Sequence, residues 1–190
     1  MKYAGTLVLM LGVGLASVYA QLTPGNVNMS FSGNGGASAI DLKQPNSNNV
    51  EENVAGNGTF GQFTFRDIRA AATYSQPSST CSGVFLPAVA GGVILRFQDG
   101  SLMNVNLKQG ADSGDCIDFV HMMAHCTLIF EIKGGTGRFQ DARGVLTYAE
   151  TATPVLFDLL GHVVLGTETG EITGTISRVG GEEERQGQRQ

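Results

Sequence analysis

Tryptophan is absent, cysteine and histidine number three each, proline five, and only 15% of the 190 residues are charged. Soluble domains ordinarily carry about a quarter charged residues, so this scarcity excludes a charge-rich helical bundle or coiled coil. The net charge is -5, and no run of Lys or Arg supplies the electrostatic footprint that a phosphate backbone demands. Nucleic acid is therefore not an expected partner. No apolar stretch reaches the about 20 residues of a membrane-spanning helix. No G-x-S-x-G nucleophile motif occurs, and no cofactor constellation stands out. Helix signals are scarce.

Glycine, by contrast, is abundant at 27 residues, about twice its usual share. A chain of this size suits one domain. Its first twenty residues read as a signal peptide: Met1 and Lys2 give a positive start, Leu7 to Leu15 an apolar core, and Val18-Tyr19-Ala20 the small residues of a cleavage site. Cleavage after Ala20 predicts a secreted or periplasmic chain whose cysteines can be crosslinked. At the other end residues 180–190 (GGEEERQGQRQ) have nothing to bury and read as a disordered tail. One domain over residues 21–179 remains.

Within it, alternating or short apolar runs rich in Val, Ile, Phe and Thr, punctuated by glycine, predict strands. They cover Val27 to Phe31, Phe60 to Arg69, Val93 to Phe97, Leu102 to Leu107, Cys116 to Val120, Cys126 to Lys133, Gly144 to Thr151, Phe157 to Gly166 and Glu171 to Ser177. Residues 33–58, rich in Asn, Gly, Ser and Gln, read instead as long loops around a short element. Asp99-Gly100 tolerates the positive φ of a tight turn and predicts a hairpin between the third and fourth of these strands. Many strands at this spacing indicate an antiparallel barrel or sandwich.

The most specific phrase is Gly134-Gly135-Thr136-Gly137-Arg138-Phe139-Gln140-Asp141-Ala142-Arg143-Gly144 between two strands. Its glycines allow a tight reversal, Phe139 can plug the core beneath it, and Gly144 admits a kink. The phrase resembles the Gly-Gly-Thr-Gly-x-Phe-x-x-Ala-x-Gly motif of the allene oxide cyclase and dirigent-like β-barrels. The resemblance implies an all-β, eight-stranded antiparallel barrel whose mouth holds a small, largely apolar molecule. It also implies that Arg143, which precedes the last glycine, faces the pocket, provided that Val145 and Thr147, which share its parity, line the interior. Asp141, Glu131 and Glu150 are nearby acids, better read as outward-facing charges.

Two strands reflected about His121 would set Cys116 opposite Cys126, within disulfide range, and leave Cys81 over; Cys81 could also pair with either. His121 and His125 have a helical zinc spacing, but on a strand they lie about 13 Å apart, so no metal is expected. His162 reads as a core or barrel-lining histidine. Gly56-Asn57-Gly58-Thr59-Phe60-Gly61 fits G-x-G-x-x-G but leads into a strand, so it reads as a turn. Three functions follow in order: a barrel that binds a small hydrophobic or phenolic compound without a catalytic centre of its own, an isomerase or cyclase that steers ring closure by pocket shape, and a structural or surface-associated barrel. The oligomeric state is left open.

Overall fold

The computed structural model describes residues 24–159 and 163–180. The expected signal peptide, His162 and the tail beyond Gly180 lie outside them. Among the described residues nine strands form: β1 (Gly25–Ala37), β2 (Ser47–Gly58), β3 (Phe63–Ala72), β4 (Val84–Phe97), β5 (Leu102–Leu107), β6 (Gly114–Asp118), β7 (Met123–Gly135), β8 (Arg143–Phe157) and β9 (Val163–Ser177). Eight of them close an antiparallel barrel in the order β1-β2-β3-β4-β5-β7-β8-β9, with β9 returning to β1. Closure removes the edges that an open sheet of these strands would have. The ninth, β6, fills a gap. Short β5 covers only Gly92 to Arg96 of β4, and β6 continues in the same slot by pairing with Val84 to Pro87 of β4 and Met123 to Thr127 of β7.

The two ends of the barrel are built differently, and the motif phrase explains one of them. Gly134 to Gly144 connects β7 to β8 through a short 3-10 turn, Gly137–Phe139. Phe139 is fully buried there, against Phe60 and Phe97 at centroid distances of 5.2 and 4.7 Å. Arg138 lies over all three rings, and its Nε sits 3.1 Å from Asp99 Oδ2 at the β4–β5 turn. Gly137 has φ of +59°, and a side chain there would run into Ser101, so glycine is required twice over. The phrase is a cap that closes this end. The β4–β5 hairpin forms over Asp99-Gly100, with Met103, Val105 and Leu107 inward and Asn104 and Asn106 outward.

Residues 33–58 are not the loops that their composition suggests. Gly33 to Ala37 extend β1, and Ser47 to Gly58 form β2, paired along its length with β1 and β3. Their inward positions carry Gly35 and Glu52 towards the end of the barrel away from the cap and Gly56 nearer the cap, beside Phe63, so hydrophobic alternation is interrupted.

The cysteine pairing also differs from expectation. The disulfide joins Cys81 to Cys116, with Cα atoms 5.5 Å apart, and Cys126 is free and buried. In the β6–β7 hairpin Cys116 opposes His125, while Cys126 opposes Asp115. The symmetry point thus lies between Val120 and His121, half a residue from the assumed centre. That slip sets Cys116 and Cys126 on opposite faces of the sheet. Cys116 turns outward to hold the segment before β4, and Cys126 turns into the barrel.

Candidate functional site

Alternation along three strands brings charged side chains to the interior. On β3 the inward series Phe63, Phe65, Asp67, Arg69 begins aromatic and ends charged, on β8 Leu146 and Tyr148 are followed by Glu150, and on β2 Glu52 precedes Val54. Asp115 enters from β6 and Glu168 from β9. All five carboxylates are buried, Glu52 completely and Glu168 to 4% exposure, with Arg69 among them. Gly35 on β1 makes the room, since a side chain there would collide with the Glu168 carboxylate and the Glu52 chain.

Arg69 organises the cluster. Its Nη1 bonds Glu52 and Asp67, the latter at 2.8 Å, while Nη2 reaches Asp115 at 3.3 Å and lies 3.6 Å from Glu150. Burial works against the guanidinium charge, but the surrounding acidic groups, Cys126, Asp115 and Glu150 among them, hold its pKa above the ordinary value. Tyr148 closes the cluster from below: its ring stacks on Phe31 at 4.8 Å and 9°, and its hydroxyl lies 2.7 Å from Glu52 and 2.5 Å from Glu150. One phenolic proton can serve only one of these contacts. The other therefore calls for a proton on a carboxyl group.

That requirement agrees with the electrostatics. Five carboxylates face one guanidinium away from water, and like charges so placed cannot all ionise. Burial, then Glu150, Asp115 and Glu168, push Asp67 well above the carboxylate range. Burial also raises Glu150, against the pull of Arg69 and Tyr148. Burial and then Glu150 lift Glu168 to about 8. The Cys126 thiol and the Tyr148 phenol are both raised, chiefly by burial.

Above this floor the barrel is open. A cavity of about 620 Å³ occupies the end opposite the cap, with Arg69, Asp115, Glu150 and Glu168 among its lining residues. Its walls combine apolar residues, among them Ala71, Ala124, Ile117, Ala152, Pro154 and Val164, with the polar Ser38, Ser47, Asn48 and Asn49. Phe31, Phe65, Phe130 and Tyr148 form an aromatic layer that separates it from the packed core towards the cap. The barrel is thus filled at one end and hollow at the other.

Arg143 does not belong to this cavity. It is exposed at the cap end, where its Nη1 donates to the Ala142 carbonyl. The inward parity of β8 is Leu146, Tyr148 and Glu150, so Arg143, Val145 and Thr147 do not share it. Gly134, Gly135, Thr136, Gly137, Phe139 and Gly144 likewise form the cap, remote from the cavity. Glu150, read as an outward charge, is buried in the cavity floor, whereas Asp141 is exposed and Glu131 pairs with Lys133 on the outer face. His121 bonds Asp118 at 2.7 Å and His125 lies 3.2 Å from Thr151, both exposed. Glu52, Asp67, Arg69, Asp115 and Glu168 were missed. The signal for two of them was the alternation Phe63, Phe65, Asp67, Arg69, which puts two charges at core positions.

No protein-family model, curated protein or solved structure matches the chain. Its function therefore rests on the geometry of the barrel.

Proposed function

We propose that the chain is a small-molecule-binding barrel of the allene oxide cyclase and dirigent-like kind, which admits a largely apolar ligand through its open end. The hollow half carries this reading: a barrel serving only as a structural module would pack its interior throughout, whereas here about 620 Å³ is left empty behind apolar walls and a few convergent polar groups. The Cys81–Cys116 disulfide supports an oxidising, secreted or periplasmic setting.

Calorimetric titration with phenylpropanoids, oxylipins and medium-chain amphiphiles should give saturable binding by at least one class. Ala152→Phe, which places a ring in the cavity, should abolish that binding and leave the melting temperature within a few degrees. No saturable binding across the panel, or binding untouched by the variant, refutes the proposal.

A second reading, an isomerase or cyclase, is favoured by Glu168, whose pKa of about 8 lets it hold a proton near neutrality and pass it to a bound ligand. Product formation in the same titrations would promote it.

A further inference from the structure

We propose that the ligand carries a protonated amine at the head of an apolar body, and that its ammonium group seats on Glu168 at the cavity floor. The inference rests on the reading of the barrel as a small-molecule binder and names the chemistry of its ligand.

The terminal donors of the floor are committed downward, and Arg69 Nε is buried without a hydrogen-bond partner. Both terminal nitrogens of Arg69 face Glu52, Asp67, Asp115 and Glu150. The Tyr148 hydroxyl faces Glu52 and Glu150. One acceptor is left over at the cavity: Glu168 Oε2 is buried without a hydrogen-bond partner, whereas Glu150 Oε1, which also lacks a hydrogen bond, lies 3.6 Å from Arg69 Nη2. Glu168 is only 4% exposed and borders the open space. Buried acceptors in this state are costly unless an incoming group donates to them. A carboxylate-bearing ligand would add an acceptor and a like charge. A hydroxyl would supply one donor and no charge. An ammonium supplies three donors and the positive charge that this acidic site lacks.

The rest of the cavity agrees. Its charged lining consists of Asp115, Glu150, Asp158 and Glu168 against Arg69 alone among the described residues, so the mouth attracts cations. The apolar walls formed by Ala124, Ala152 and Val164 suit a hydrocarbon body. A bare divalent ion is the competing occupant, because oxygens of Glu52, Glu150 and Glu168 lie within 4.8 Å of one another. Arg69 already bonds Glu52 and approaches Glu150, so such an ion would share its ligands with a guanidinium. An ammonium on the Glu168 side avoids that competition.

Binding should be linked to protons. Glu168 is faced by Glu52 from β2, Asp67 and Arg69 from β3, Asp115 from β6 and Glu150 from β8. Within this acidic ring its carboxyl holds a proton at neutral pH, and pairing with an ammonium expels that proton to solvent. Nothing else is transferred.

The test uses octylamine, octanol and octanoate, which share one body, titrated into the full chain by calorimetry. Octylamine should bind at least about tenfold tighter than the other two at pH 8, with an affinity that rises by up to about tenfold per pH unit from pH 6 towards 8. E168Q should abolish both the preference and the rise. Wild-type titrations at pH 7 in buffers of different ionisation enthalpy give a readout independent of any variant, and should show about one proton released per octylamine bound. Equal binding of octylamine and octanol, or the absence of proton release, overturns the amine assignment and leaves the binding barrel standing. Calcium or manganese that binds and displaces octylamine overturns it in favour of a metal. Failure of all three amphiphiles and of the wider panel overturns the binding reading with it.

Discussion

Replacing Glu168 with glutamine is expected to stabilise the protein at alkaline pH and to flatten the dependence of its stability on pH. In an unfolded chain the carboxyl ionises near its ordinary 4.5, and in the barrel only near 8. Between those values the folded state keeps a proton that the unfolded state has released, so wild-type stability must fall as pH rises through the window and level off above it. Each pH unit is worth about 1.4 kcal/mol, which bounds the loss at roughly 5 kcal/mol. Glu168 borders an open cavity, and solvent screening there reduces the expected loss to about 2–3 kcal/mol. Glutamine has no proton to lose, so E168Q keeps only the shallower slope due to Asp67 and Glu150, whose carboxyls are raised in the same direction. Urea denaturation at pH 5, 6.5 and 8 measures both proteins. Equal wild-type stability at pH 5 and pH 8, or the same loss in E168Q, would refute the electrostatic account of the floor.

Arg69→Met removes the counter-charge shared by Glu52, Asp67, Asp115 and Glu150, and should cost about 3–5 kcal/mol at pH 8, the usual penalty for orphaning buried charges, and less at pH 5, where carboxyls can take up protons. Guanidinium unfolding at the two pH values reads the difference, and an equal cost at both would contradict it. Peptide mapping without reduction should recover Cys81 joined to Cys116, with Cys126 unreactive to thiol reagents until the chain is denatured. Reduction should cost about 4 kcal/mol, the loop-entropy value for a separation of 35 residues; a linked Cys126 peptide would exclude this pairing.

Where the barrel interior is apolar, its strands were legible. Leu102 to Leu107 is read residue for residue, because Met103, Val105 and Leu107 are buried and the asparagines between them are not. The cap was legible for the same reason, with Phe139 burying a large ring among glycines. The β6–β7 hairpin fared worse. His121 as a centre and the Val120–His121 peptide as a centre differ by half a residue, and nothing in the polar turn around them distinguishes the two, yet the choice decides which cysteine faces inward.

The residues that defeated the pattern are those that build the floor of the cavity. A strand is recognised by an apolar face, and Glu52 and Gly35 deny β1 and β2 that face near the open end. Glu150 and Glu168 do the same on β8 and β9, where a buried charge looks, residue by residue, like a solvated one. What separates the two cases is parity with neighbours already known to be inside. Asp67 and Arg69 continue the face of Phe63 and Phe65, and Glu150 continues the face of Leu146 and Tyr148. Burying such groups gains no packing energy that apolar residues would not supply more cheaply. Five acids around one arginine are therefore poorly explained as a folding device, and their concentration where the barrel stops being filled is what the proposed binding role at the hollow end would account for.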